Sequence, residues 1–297
     1  MSYPTIHPAP GEVAVERAQA GRPHEGKVLA AVQAHSDDIP FYCAGTLAKL
    51  LAEGYTGYLI QTSNDEKCGP TPRIGETIAG NERDVDELAR VLGLARVLHL
   101  SYRNHRMDGD SVLELRCRLI LLFRLLKVDT VFTFCPWGIN EENPDHWVTA
   151  RAVEAACWMS SCDKDYPEQL AAGLQPHAVR ERYYWAAREG QLYNRVVDIA
   201  PHIRAKVEAY VACRSQGPGG SNGARLRARL AAQGLRLPAL GESDEQADRA
   251  YAELFLLDAE RALGARHGLA LAEAFYYMGP RRDTRIDDYV SAHAVPL

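Results

Sequence analysis

An apolar run, Lys27 to Gln33 (KVLAAVQ), breaks off at Ala34-His35-Ser36-Asp37-Asp38. It reads as a buried strand that delivers polar residues at its carboxyl end. The pattern then recurs. Thr46, Leu47, Leu50 and Leu51 align at helical spacing before Gly54, a C-cap candidate, and Thr56 to Thr62 (TGYLIQT) reads as a second strand. Beyond a loop from Ser63 to Thr77, Arg83 to Leu92 carries Val85, Leu88, Ala89 and Leu92 at helical intervals and stops at Gly93. Arg96 to Leu100 reads as the third strand. Val112 to Leu126 repeats the helical spacing, and Thr130 to Cys135 (TVFTFC) is a fourth buried strand. Strands alternating with helices imply right-handed crossovers. The expected fold is therefore α/β: a Rossmann-like, largely parallel, doubly wound sheet with helices on both faces.

A chain of 297 residues fits one large domain. Residues 1–26, with Pro4, Pro8, Pro10 and Pro23, read as an irregular N-terminal arm, and 27–297 as a single domain with C-terminal helical segments. Its later part holds a strand-like run in Tyr183 to Ile199 and helical stretches around Lys206 to Cys213 and Asp244 to Ala265, with Gly-rich punctuation at Gly217 to Gly223. The net charge of -5 comes without a long basic run, which argues against a nucleic-acid partner. Arg225, Arg227, Arg229 and Arg236 are followed closely by Glu242, Asp244 and Glu245 and read as a solvated face. No apolar run is long enough for membrane insertion. Seven cysteines without a C-x-x-C pair suggest neither a disulfide framework nor a thiolate zinc knot, and fit a reduced, cytoplasmic protein. A homo-oligomer is compatible with these residues.

In doubly wound sheets the binding crevice lies outside the carboxyl ends of the strands, where His35 and the loop Trp137 to His146 both fall. A hydrolytic zinc needs three His or carboxylate ligands and one open position, and His35, Asp38 and His146 form a candidate set. Spacing alone leaves other readings open. Asp37 and Asp38 could cap the following helix, Asp145 could be an N-cap, and His146 a satisfied histidine beside Trp147. A cofactor-binding Rossmann-type enzyme shares the rhythm but needs a Gly-rich turn where this chain has His35-Ser36-Asp37-Asp38. Gly217-Pro218-Gly219-Gly220 lacks the strand-to-helix setting of a phosphate loop and reads as a flexible loop over the pocket.

The run AHSDDIPFYCAGTLAKLLAEG resembles the A-H-P-D-D-E motif that opens the LmbE-like (PIG-L type) deacetylases, and NPDHWVTARAV resembles their H-P-D-H motif. Further matches follow in the family's order: ERDVDELARVLGL, Asp108-Gly109, VVDIAPHIRAKVEAYVACRSQ and LAEAF. The resemblance implies an LmbE-like hydrolase domain that binds Zn2+ through His35, Asp38 and His146, with Asp37 as general base. Iron, manganese or cobalt could occupy the same ligand set. It also implies N-deacetylase activity on a small-molecule N-acyl substrate, amino-sugar-like or a secondary metabolite.

Where the family places an oxyanion-stabilising histidine this chain has Asn143, which can donate a hydrogen bond but cannot carry a proton. That departure motivates a rival reading as a noncatalytic metal- and ligand-binding relative. Ser36 and Ile39 replace the proline and final acid of the first motif. Asn81 and Asp84 stand near the family's Arg and Glu, leaving Arg73 or Arg83 to meet the substrate, and Cys213 stands for a histidine. Asp108 matches an acid that the family keeps near its pocket. Asp65 after the second strand, His105 after the third and Trp137 after the fourth are further candidate substrate contacts.

Overall fold

The computed structural model describes residues 12–280 and 285–296. The chain runs through β1 (Ala14–Glu16), β2 (Val28–Gln33), α1 (Asp38–Tyr42), α2 (Ala44–Ala52), β3 (Thr56–Ser63), α3 (Ile74–Leu92) and β4 (Arg96–Tyr102). It continues with α4 (Val112–Leu126), β5 (Thr130–Phe134), α5 (Pro144–Met159), α6 (Pro167–Ala171), β6 (Glu181–Trp185) and β7 (Arg195–Asp198). The last elements are α7 (Ile203–Ala212), α8 (Asn222–Ala232), α9 (Asp244–Phe255), α10 (Asp258–Arg266), β8 (Ala272–Met278) and α11 (Arg285–His293).

The strands form one eight-stranded sheet in the order β1-β7-β8-β6-β5-β2-β3-β4. All neighbours are parallel except β8, which is antiparallel to both β6 and β7. From β2 the chain winds outward through β3 to β4, then returns to place β5 on the opposite side of β2. The direction of winding therefore reverses between β2 and β5, which opens a crevice at their carboxyl ends. That position follows from strand order alone.

Alternation along each strand feeds two cores. On one face Leu29, Ala31, Phe132 and Phe134 pack with Leu47 of α2, Leu88 of α3 and Ala209 of α7. On the other, Ala30, Val32 and Val131 pack with Leu119 and Phe123 of α4 and Val153 of α5. Each fully buried Leu or Phe contributes roughly 2 kcal/mol of transfer free energy, so these two clusters hold the helices firmly on the sheet centre. Gly93 ends α3 in the left-handed conformation at φ 79°, as its place after the last apolar residue predicts.

Four expectations need correction. The arm 1–26 is not wholly irregular: Ala14–Glu16 adds a parallel strand beside β7. Glu16 fixes it there, taking hydrogen bonds from Lys49 at 2.8 Å, Arg195 at 2.9 Å and Tyr183 at 3.1 Å. Next, α3 starts at Ile74, within the segment expected to be loop. Its first turns bury Thr77, Gly80, Asn81 and Asp84 instead of aliphatic residues, which hides the helical period. The strand-like run in Tyr183 to Ile199 is split into β6 and β7, and Asp244 to Ala265 into α9 and α10, broken at Leu256 and Leu257.

Candidate metal centre

The turn after β2 brings His35 and Asp38 to the crevice, and the first turn of α5 brings His146 to the same point. His35 Nδ1 lies 2.9 Å from His146 Nε2 and 4.0 Å from Asp38 Oδ1, and His146 Nε2 lies 3.5 Å from that oxygen. All three side chains are buried. The point equidistant from these atoms is about 2 Å from each, the length of a zinc–nitrogen or zinc–oxygen bond.

Each ligand's other polar atom is already engaged. Asp38 Oδ2 accepts the backbone N–H groups of Ala34 at 2.9 Å and His35 at 2.8 Å, which leaves Oδ1 for the cluster. His35 Nε2 faces Asp145 Oδ2 at 3.1 Å, and His146 Nδ1 faces Glu141 Oε1 at 3.0 Å. Carboxylates at both outer nitrogens place a proton on each, so the inner nitrogens point lone pairs at one another across 2.9 Å. Two lone pairs at that separation repel unless a cation, proton or metal, lies between them. The donor set therefore fits a divalent metal.

Without metal, a proton takes that role. Burial opposes charge on His35, but the hydrogen bond to Asp145 and the charges of Asp38, Asp65 and Asp145 outweigh it and raise its pKa to about 9. Burial likewise opposes charge on Asp145. Bonds from His35 and from the backbone of His105 and Met107 nevertheless hold its carboxyl below the usual range. Glu141 is lowered in the same way: burial is outweighed by His146, the Asn143 backbone N–H and Arg188. Phe134 stacks on the His146 ring with centroids 4.0 Å apart and fixes its plane from below.

Asp37 stands beside the ligands at the start of α1 and caps nothing with its side chain. Burial, followed by the charge of Asp38, pushes its carboxyl up to about 7. Gly217, at φ +79°, crosses directly over it, and a Cβ there would lie 3.0 Å from Asp37 Oδ2. The loop carrying Gly217 is fastened to the turn: the Cys213 thiol donates to Ser36 O at 3.2 Å and Gln216 Nε2 to Ser36 Oγ at 2.7 Å. Asp84 accepts the Ser215 N–H, and Asn81 accepts from Ser36 Oγ, so both positions hold this loop and turn together.

The remaining candidates fall in several places. The His105 ring is edge-on to His35, with centroids 6.2 Å apart. Asp65 is buried beneath the turn, its carboxylate engaged by the Ser36 N–H, Gln61 and Ser63, so its oxygens are occupied by the scaffold. Asn143 caps α5, accepting the Asp145 N–H at 3.0 Å through Oδ1, which leaves its Nδ2 hydrogens to donate. Arg83 is exposed on the wall of a neighbouring cleft. Arg73 pairs with Glu76 on the surface, and Asp108 is exposed in a short turn, Met107–Gly109. Trp137 lies edge-on against Tyr184 and Tyr276, at 5.3 and 5.5 Å, as a packing element.

Sequence reading missed Glu141 and treated Asp145 only as a cap. Asp145 was accessible to the rule that a ligating histidine presents its second nitrogen to a carboxylate. Glu141 was not, since only the fold of the 135–143 loop shows which of Glu141 and Glu142 turns inward.

A crevice at the switch point, with two oriented imidazoles, one carboxylate and a free acid, defines a metal-dependent hydrolase. Residues 30–157 match the family model described as PIG-L: GlcNAc-PI de-N-acetylase. Over those residues the chain is similar to that family. Among solved structures it is similar to N,N'-diacetylchitobiose deacetylase from Pyrococcus horikoshii, with a TM-score of 0.68 and 22% identity over 91% of this chain and 87% of that one. The conserved protein TT1542 from Thermus thermophilus superposes with a TM-score of 0.59 at 22% identity, covering 86% and 95% of the two chains. GalB, the 4-carboxy-2-hydroxymuconate hydratase from Pseudomonas putida, gives 0.62 at 14% identity, covering 86% and 98%. At such identities these likenesses are of fold, and the hydratase among them shows that the scaffold alone does not select the reaction.

Proposed function

We propose that this chain is a zinc-dependent N-deacetylase that hydrolyses an N-acyl amide, N-acetyl in first place, on an amino-sugar-like or secondary-metabolite small molecule. The observation that carries this reading is the convergence of His35 Nδ1, His146 Nε2 and Asp38 Oδ1, with Asp37 left uncommitted beside them. Two imidazoles and one carboxylate favour zinc, which would supply there a water acidified to near pH 7 and a Lewis acid for the amide carbonyl.

Asp37 takes the proton of the attacking water and returns it to the departing amine, a double role suited to an acid whose pKa is lifted toward neutrality. Asp145 and Glu141 keep the two imidazoles in the tautomers that present lone pairs inward. Asn143 Nδ2 donates to the developing oxyanion, a contact worth about 3 kcal/mol when well placed. The noncatalytic rival leaves Asp37 without a purpose.

The test combines metal analysis with acetate release from a panel of N-acetyl amines. Purified protein should hold about one zinc per chain, lost in His35→Ala together with hydrolysis. Metal-loaded protein that releases acetate from none of the panel would favour the noncatalytic reading or a hydratase-like reaction.

A further inference from the structure

We propose that Arg188, on the loop between β6 and β7, is a positioning residue of the metal centre: its guanidinium holds the Glu141 carboxylate against His146 and ties it to α1, the helix that carries Asp38. The role rests on the metal site of the proposed function and goes beyond it, since it holds whatever bond that metal helps to cleave.

The two imidazoles are supported unequally. Asp145, behind His35, lies in the first turn of α5, and Asn104 Nδ2 with the His105 and Met107 N–H groups engages both of its oxygens. Glu141, behind His146, lies in the irregular segment between β5 and α5. Its Oε1 accepts from His146 Nδ1 at 3.0 Å, from the Asn143 N–H at 3.2 Å and from Arg188 Nη2 at 3.1 Å. Its Oε2 is buried and has no hydrogen-bond partner among the described residues. Oε2 therefore adds nothing to the orientation of the carboxylate. The oxygen that faces His146 is set by one backbone N–H and the arginine, and the charged donor makes the stronger bond. The Glu141 side chain is only 5% exposed, so water does little to replace that cation.

The loop that carries Arg188 is laced to the segment that carries Glu141. Gln191 Nε2 donates to Ile139 O at 2.8 Å and Asn140 Nδ2 to Glu189 O at 3.2 Å. Gly138 allows the close approach, since a Cβ there would lie 2.7 Å from Gln191 Nε2. On its other side Arg188 Nη1 reaches the Tyr42 hydroxyl at 3.4 Å. Tyr42 ends α1, one turn after Asp38, and its ring stacks on Trp185 with centroids 6.0 Å apart. One guanidinium thus spans the supports of two ligands, Asp38 and His146.

The test measures zinc affinity by chelator competition in wild type, Arg188→Gln, Arg188→Lys, Glu141→Gln and Glu141→Gln/Arg188→Gln, with far-ultraviolet circular dichroism to check the fold. Arg188→Gln should weaken zinc binding about tenfold, as replacing a group behind a metal-bound histidine does. Arg188→Lys keeps the charge without the fork and should bind within about threefold of wild type. In the Glu141→Gln background the arginine has no carboxylate to hold, so Arg188→Gln should change affinity there by less than about twofold. That comparison also serves if Arg188→Gln alone folds poorly, because the double variant strands no acid. Wild-type affinity in Arg188→Gln, or a tenfold loss that persists in the Glu141→Gln background, would overturn the proposal. All of these are binding measurements, so metal-loaded protein that cleaves no N-acetyl amine would count against the deacetylase reading and leave the role of Arg188 intact.

Discussion

Asp145 reaches across from α5 to His35 Nε2 at 3.1 Å, so the carboxylate next in sequence to one imidazole of the cluster orients the other. Its oxygens also collect Asn104 Nδ2 and the backbone N–H groups of His105 and Met107, which fixes the carboxylate in place. Asp145→Asn should lower zinc affinity by about 10- to 100-fold while the far-ultraviolet circular dichroism is retained. A chelator competition showing unchanged affinity would refute this role.

Asp37 lies outside the cluster of His35, Asp38 and His146, so on the proposed mechanism Asp37→Asn should keep about one zinc per chain and lose about 10²- to 10⁴-fold in kcat. Loss of zinc together with activity would instead place Asp37 among the ligands.

Asn143 caps α5, and the proposed mechanism gives it a second task, donation to the oxyanion, that one substitution can separate from the first. Aspartate caps helices as well as asparagine does but has no N–H to donate. Asn143→Asp should thus leave the melting temperature within about 2 °C and reduce kcat by about 10²-fold or more with little change in KM. An active Asn143→Asp enzyme would exclude the amide as oxyanion donor.

The metal-free protein should show a pH dependence set by His35. Its folded pKa of about 9 lies above the ordinary histidine value of 6.5. The stabilising contribution is therefore complete below pH 6.5 and disappears as pH rises through 9. Zinc displaces the same proton, so its affinity should weaken as pH falls, and uptake at about pH 7.5 should release about one proton. Calorimetric titrations in two buffers of different ionisation enthalpy measure that number; identical heats would mean that no proton leaves.

Lys206 is fully buried, with Glu273 at 2.8 Å and Glu260 at 2.9 Å, and it also donates to the Phe41 carbonyl at 2.7 Å. Glu273 in turn accepts from the backbone N–H groups of Gly45 and Thr46 at the start of α2. Lys206→Met strands these acids and should cost about 3–5 kcal/mol. For a chain of this size that is a fall of about 10 °C in melting temperature, and a change of less than about 2 °C would argue against the network.

The β2-to-β5 core was legible because strands buried on both faces are uninterrupted apolar runs and α4 repeats leucine at helical spacing. The same runs located His35 and the His146 loop at strand ends. Elements fastened by polar contacts were not legible. The first half of α3 buries Asn81 and Asp84, and β1 is held by Glu16 through partners 33, 167 and 179 residues away. Sequence motifs pointed to His35, Asp38 and His146, which the fold brings together. They could not find Glu141 or Arg188, which meet when loops distant in the chain come to lie against each other.

Glu16 also decides how far this protein can be trimmed. A shortened form beginning at residue 20 would look harmless, since it removes three residues of an edge strand and a proline-rich lead. It would also take the carboxylate that Lys49 shares with Arg195, leaving the lysine's ammonium sealed inside with Glu53 alone and the arginine stacked on Tyr277 without that anion. The folded unit therefore reaches back at least to Ala14, well ahead of the long apolar run at Lys27 where order first shows in the residues themselves.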